Sequence, residues 1–225
     1  IRARDADTVC LQEIPWTWEM GSGAQYLAER TGLNHAYLRA NGNRYALTFE
    51  MGQAILSRFP LEDTSFIELE PRSAYFEARV VLHAVVETPW GEVHAFTTHL
   101  TNKEPSVNAA QVDALTSFVD AHRAPIAVVT GDFNAEPDSV QIRALMDRWT
   151  VASPDETTCC IGDVTAGPSQ RLDERIDYIF LVGGPGIEVD GSERILDAPR
   201  RVAGGWQWAS DHVGLLARIR IASSE

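Results

Sequence analysis

Four short apolar runs in this chain each meet a compact polar cluster, and that arrangement limits the possible folds more than any other feature of the sequence. Leu11-Gln12-Glu13, Thr97-Thr98-His99-Leu100 and Thr130-Gly131-Asp132-Phe133-Asn134 each close a run, and Ser210-Asp211-His212 opens another. A further carboxylate lies inside an apolar stretch, Arg175-Ile176-Asp177-Tyr178-Ile179. Short β-branched runs of this kind read as buried strands. Strands that end in polar residues aim them at one crevice, where groups far apart in sequence converge.

The remaining elements follow from periodicity and punctuation. Strands are expected at Thr8–Leu11, at Ala54–Ser57 (stopped by Pro60), at Ile126–Thr130, at Arg175–Val182 and at Val213–Ile221. Tyr75–Glu87 and Glu92–His99 flank Pro89-Trp90-Gly91, which predicts a hairpin. A helix is expected over Gly21–Thr31, closed by Gly32, with Tyr26 and Leu27 inward. A second over Ser106–Ala121 has Val107, Ala110, Ala114, Leu115, Phe118 and Val119 at helical spacing and Ser106 as its N-cap. A third runs from Asp138 to Arg148, with Pro137 in its first turn, and Ser153–Ser169 reads as a loop. Strands that first pair as hairpins and then alternate with helices predict mixed sheets covered by helices. Without repeats or a linker, residues 1–225 read as one domain.

Charge narrows the function classes. The chain has 19 basic against 32 acidic residues, a formal charge of -13. Such a surface repels polyanions, so no stable nucleic-acid complex is expected. A bound divalent cation reverses that field locally, so an enzyme acting on phosphate esters stays open. No apolar run approaches the roughly 20 residues that span a bilayer. Cys10 reads as a small core residue, and adjacent Cys159 and Cys160 lack the spacing of a zinc site or a disulfide framework. That usage favours a reducing, cytoplasmic compartment over a secreted one. The start at Ile1 without Met leaves room for a targeting segment that has been removed or left out.

Taken singly, each polar cluster has an ordinary explanation. Glu13 at a strand end reads as a solvated charge, His99 as a structural histidine, Asp132-x-Asn134 as a turn and Asp211 as a cap. Asp177 is harder to dismiss, because a buried carboxylate needs a partner. In combination and in this order the clusters resemble the metal-dependent endonuclease/exonuclease/phosphatase superfamily, which has the fold of deoxyribonuclease I. The motifs that carry the resemblance are Gln12-Glu13, Gly52-Gln53-Ala54-Ile55-Leu56-Ser57-Arg58, Thr98-His99-Leu100, Gly131-Asp132-Phe133-Asn134, Arg175-Ile176-Asp177-Tyr178 and Ser210-Asp211-His212. They run over nearly the whole chain. No Gly-x-Ser-x-Gly elbow or Walker loop points to a competing mechanism.

The resemblance implies a mixed α/β, or α+β, architecture: a two-sheet β-sandwich flanked by helices in four layers, with the site at one edge between the sheets. It also implies hydrolysis of a phosphate ester with Mg²⁺ or Mn²⁺, for which carboxylate and amide oxygens are suitable hard ligands. By the family pattern Glu13, Asp132, Asn134 and Asp211 form the metal set. Asp132 orients or deprotonates water, and Asn134 donates to a phosphate oxygen or a ligand. Asp177 fixes His212, which acts on the phosphoryl oxygens or as base, and His99 donates to a non-bridging oxygen or the leaving group. Arg79 and Arg171 are candidate phosphate clamps. Members usually open with a strand that delivers an Asn to the site; here a dozen residues precede Glu13, so that strand and its Asn are expected to be missing.

The substrate expected on these grounds is a phosphodiester or phosphomonoester of a small molecule or lipid headgroup. Two alternatives stand beside it: an acidic-surfaced DNA endonuclease, and a non-catalytic relic that binds a partner through the old cleft. Contact with a membrane would need an exposed aromatic loop. Pro15-Trp16-Thr17-Trp18 and Gly204-Gly205-Trp206-Gln207-Trp208 are the candidates, with packing as the favoured role of their tryptophans. The sequence sets no oligomeric state.

Overall fold

The computed structural model describes residues 1–74, 77–122, 124–184 and 187–221. Strands Thr8–Thr17 (β1), Gly21–Ser22 (β2), Asn34–Asn43 (β3) and Phe49–Ser57 (β4) form one sheet in the order β2-β1-β4-β3. Leu61–Glu68 (β5), Val80–Thr88 (β6), Gly91–His99 (β7), Ile126–Asp132 (β8), Thr150–Val151 (β9) and Asp177–Gly183 (β10) form a second, in the order β5-β6-β7-β8-β10-β9. Ile187–Ile195 (β11) pairs with Gly214–Ile221 (β14), and Arg200–Val202 (β12) with Gly205–Gln207 (β13). The helices are Gly23–Thr31 (α1), Pro105–His122 (α2) and Val140–Met146 (α3).

Three apolar clusters hold four layers together. Ala24 and Ala28 of α1 pack on Ala54 and Leu56 of β4. The opposite face of the same strand puts Ile55 against Leu82, Ala84 and Val86 of β6 and Ala95 of β7, which joins the two sheets. The outer face of the second sheet, with Phe96, Val129 and Phe180, packs on Val112, Leu115 and Val119 of α2 and Ile142 and Leu145 of α3. The order is therefore helix, sheet, sheet, helices. The parallel pair β7 and β8 is joined by α2, as a parallel crossover requires.

Several element boundaries differ from the sequence reading, each for a local reason. In α1 the buried positions are Gly23, Ala24 and Ala28, whereas Tyr26 is exposed beneath Arg30. The small alanines let the helix lie close to the sheet. The helix starts two residues late because Ser22 is its N-cap, accepting from the Gln25 N–H, and it stops at Gly32, whose φ of 73° suits glycine. Helix α2 begins at Pro105, so Ser106 lies inside its first turn and is not the cap. Helix α3 is shorter than expected because Ser139 caps it, which leaves Pro137 outside. β6 begins at Val80; Tyr75 and Phe76, the start of that expected run, lie outside the described residues. The expected hairpin at Pro89-Trp90-Gly91 is present between β6 and β7.

Cys159 and Cys160 are joined in a vicinal disulfide. A bridge between neighbours closes no loop of chain, so it does not act as a framework. Cys10 is a free thiol packed at the inter-sheet core. Among the described residues no helix is long and apolar enough to cross a membrane.

Candidate active site

The site forms where the two sheets meet at one edge. On the first sheet, β1 carries a bulge: Leu11 pairs with Ala54 and Ile14 with Gly52, so Gln12 and Glu13 together oppose Gln53. Glu13 adopts a φ of 54°, and its side chain is more than half exposed. The bulge turns the polar pair out of the ladder without ending the strand, so β1 runs to Thr17. Gln12 reaches the other sheet, its amide donating to Thr97 Oγ1 at 2.8 Å.

On the second sheet, three neighbouring strands deliver the rest. His99 pairs with Asp132 across the parallel β7 and β8, and Asp132 pairs with Asp177 across β8 and β10. Gly131 precedes Asp132 because a Cβ there would stand 2.3 Å from the Thr98 carbonyl oxygen. Asn134 takes a φ of 49°, which its short amide tolerates, and donates from Nδ2 to the Leu100 carbonyl. The buried Asn108 of α2 pins the same loops by donating to the carbonyls of Thr101 and Phe133.

His212 arrives from the segment before β14. Thr158 fixes its surroundings: its hydroxyl accepts from the backbone N–H groups of Ile176 and Asp177, and its carbonyl from Val213. His212 Nδ1 then lies 2.8 Å from Asp177 Oδ2, and its Nε2 lies 3.9 Å from Asp132 Oδ2 and 3.3 Å from Cys159 Sγ. His99 Nε2 is 3.3 Å from Asp132 Oδ2, and its Nδ1 is 3.7 Å from Glu13 Oε1. Glu13, His99, Asp132, His212 and Asp177 thus form one continuous chain of polar contacts.

Their protonation states diverge. Burial disfavours the His99 charge, the Arg79 and His212 charges add to that, and the pKa falls to about 3. Burial also opposes charge on His212, but the Asp177 hydrogen bond and the carboxylates of Asp177, Asp132 and Asp211 outweigh it and push the pKa up to about 9. Asp132 is pushed up to about 7 by burial and by the neighbouring Asp177. The site at neutral pH therefore holds a neutral imidazole, an imidazolium and a carboxylate near its own midpoint, a combination suited to proton transfer.

Beside this chain lies a half-open pocket lined in part by Glu13, His99, Asn41, Gln53 and Arg79. Arg79 is buried, and its Nη2 donates to Glu77 Oε1 at 2.7 Å. Arg171 is exposed on a loop and does not line the pocket. Asp211 is exposed as well, its carboxylate accepting from the Ser210 hydroxyl. Sequence reasoning missed Thr158 and Gln53 as site-building residues. Gln53 stands in the Gly52–Arg58 motif, which carries the family resemblance without assigning it a role and lies just before the expected strand Ala54–Ser57, and Thr158 stands within a run of turn formers.

Comparison with known proteins now decides the ancestry. The sequence profile of the Endonuclease/Exonuclease/phosphatase family matches residues 1–212. The chain belongs to that family. A Drosophila melanogaster protein named "Putative neutral sphingomyelinase" is 25% identical over 97% of this chain. The chain spans about half the length of that relative, 54%. Among solved structures, a family protein from Bacteroides thetaiotaomicron superposes with a TM-score of 0.75 at 14% identity, covering 99% of this chain and 86% of the other. A mannosyl-6-phosphatase from the same organism gives 0.74 at 15% identity, covering 96% and 86%. These structural likenesses establish the shared fold, the deoxyribonuclease I-like sandwich.

The family generally uses a divalent metal, and the residues fit one. Ligand atoms of Asp132, Asp177 and His212 lie within 4.8 Å of one another. Burial and the neighbouring Asp177 push Asp132 up to about 7 although the His212 charge opposes them, and a cation beside the two carboxylates would relieve the remaining repulsion. Neither Glu13 nor Asp211 joins a group of three such atoms among the described residues. Their carboxylates stand at the exposed rim instead.

Proposed function

We propose that this chain is a Mg²⁺- or Mn²⁺-dependent hydrolase of phosphate esters that uses an activated water. One observation carries the reading: Asp177 holds His212 at 2.8 Å, with Asp132 and His99 next along the chain of contacts and a pocket at its end. Asp132 would hold the metal from within the cluster, with Glu13, Asn134 and Asp211 as the oxygens the family pattern adds from the rim, and the bound metal would neutralise charge that grows on the phosphoryl oxygens. His212, held by Asp177, acts on those oxygens or as base. Asp132, 3.3 Å from His99 Nε2 and 3.9 Å from His212 Nε2, orients or deprotonates the water. Neutral His99 donates to a non-bridging oxygen or to the leaving group, and Arg79 clamps the phosphate from the pocket wall.

The substrate that fits is a phosphomonoester or phosphodiester of a small molecule or lipid headgroup. The charge of -13 opposes a DNA duplex. The names of the fly relative and the Bacteroides phosphatase agree with that class. A lipid source is favoured by one observation. Trp18, Met20, Tyr45, Leu47 and Phe49 are exposed, and the register of Thr17 with Phe49 puts them at one end of the first sheet, a few residues beyond Glu13. Trp208, by contrast, is buried and donates to the Ala166 carbonyl, a packing role.

The test is hydrolysis of p-nitrophenyl phosphate, bis(p-nitrophenyl) phosphate and plasmid DNA with Mg²⁺ or Mn²⁺, and then with EDTA. Metal-dependent release from the small esters is expected. Efficient DNA cleavage without release from either ester would replace this reading with the nuclease. No turnover at all, and no thermal stabilisation by metal, would replace it with the partner-binding relic.

A further inference from the structure

Gln53 sits directly opposite the bulge that presents Glu13, and it has no structural reason to be polar. Two residues along β4 on the same face, Ile55 belongs to the inter-sheet core. Gln53 is 3% exposed, and its Oε1 is buried without a hydrogen-bond partner. Leaving such an oxygen unpaired is costly, and an apolar side chain of the same length would avoid that cost.

Arg79, 9% exposed, presents the complementary case. Its Nη2 is committed to Glu77, which also accepts from Lys103, while its Nε is buried and unpaired. Both residues line the pocket beside Glu13 and His99. The pocket wall therefore offers one unused acceptor and one unused donor. Phosphate oxygens satisfy the donor, but a phosphate dianion has no hydrogen for the Gln53 carbonyl. A hydroxyl on the alcohol portion of the ester is the substrate group that supplies one. Phosphocholine keeps no free hydroxyl, and no Trp, Tyr or Phe, the usual recognisers of a quaternary ammonium, is among the described residues that line this pocket.

From this we infer that Gln53 is a substrate-recognition residue that accepts a hydrogen bond from a hydroxyl of the alcohol portion. The preferred substrates are then phosphate esters of polyhydroxylated alcohols, whether free sugar and polyol phosphates or sugar- and polyol-headed lipids. The inference rests on the phosphoesterase reading above.

The experiment compares kcat/KM on glucose 6-phosphate, glycerol 3-phosphate, phosphocholine and p-nitrophenyl phosphate for the Mg²⁺-loaded wild type, Gln53→Met and Gln53→Glu. Vesicles of phosphatidylinositol and of sphingomyelin form the lipid arm. Wild type is expected to favour the hydroxylated esters, and Gln53→Met to lose roughly 10-fold or more on those alone. Gln53→Glu, which keeps an acceptor, should retain more of that preference. Turnover of the soluble esters or of phosphatidylinositol tells which source supplies the hydroxyls. Equal turnover of phosphocholine, or a folded Gln53→Met variant with unchanged selectivity, overturns the inference and leaves the phosphoesterase reading intact. Should Gln53→Met fail to fold, as judged by thermal melting, the wild-type preference and Gln53→Glu decide. Absence of turnover on every ester takes both readings down together.

Discussion

Half-buried His212 and buried His83 are two imidazoles of one molecule held in opposite charge states. His212 faces Asp177, Asp132 and Asp211 and is pushed up to about 9. His83 faces His94, His122 and Ser65 and is pushed down to about 3, by burial first and then by the neighbouring histidines. The second group fixes its own tautomers. His122 Nδ1 lies 2.8 Å from the Phe118 carbonyl, which can only accept, so its Nε2 must accept from the Ser65 hydroxyl. Ser65 in turn accepts from His83 Nδ1, and His83 Nε2 accepts from His94 Nδ1. Each contact of the network then pairs one donor with one acceptor. Burial alone does not make a histidine functional; carboxylate neighbours do.

The largest effect should come from removing the carboxylate-held ring. His212→Ala is expected to lower kcat/KM about 10³-fold, and Asp177→Asn somewhat less, while His83→Phe changes it by less than about twofold. Steady-state assays on p-nitrophenyl phosphate check this, and comparable losses at both histidines would erase the distinction. Acid should reveal the second group. Since the folded pKa of His83 lies below the unfolded value of about 6.5, the unfolded chain binds the proton first. The stability tied to neutral His83 is therefore complete above pH 6.5 and is lost toward pH 3, by at most about 1.4 kcal/mol per pH unit. Urea unfolding across that range should show the loss, with a shallower acid limb in His83→Phe.

Metal sharpens the contrast further. Saturating Mg²⁺ should stabilise the protein by about 2.7 kcal/mol at 100 times its Kd, and Glu13→Gln should remove most of that gain without altering the acid limb. Thermal melts with and without EDTA measure it. The smallest effect concerns the arginines. Arg171→Ala, on an exposed loop, should shift kcat/KM by less than about twofold, whereas Arg79→Ala should raise KM about 10-fold.

These contrasts show which signals a sequence carries. Gly131-Asp132-Phe133-Asn134 was legible because a strand end, a close backbone approach and two turn-forming polar residues coincide within a few positions. Asp177 was legible as a carboxylate in an apolar run. The metal rim was legible only as a resemblance, and Asp211 turns its carboxylate toward Ser210 and solvent. Strands β3, β5 and β11 were missed because most of their residues are exposed or half-buried, which dilutes the apolar signal of burial. Gln53 and Thr158 escaped for another reason. Their roles depend on what lies opposite them in a partner strand or loop, and that pairing is long-range information.

The hydrogen bond from Gln12 to Thr97 crosses from one sheet to the other beside Glu13. Glu13 stands on the first sheet, and His99, Asp132 and Asp177 on the second, so the reactive geometry is a measure of how far apart the two sheets lie. A cavity opened in the shared interior, as in Ile55→Ala, lies remote from every reacting group, yet it should let the sheets settle differently and detune the site. In this architecture the tightness of the sandwich sets the aim of the catalyst, and activity should fade on heating before the fold itself gives way.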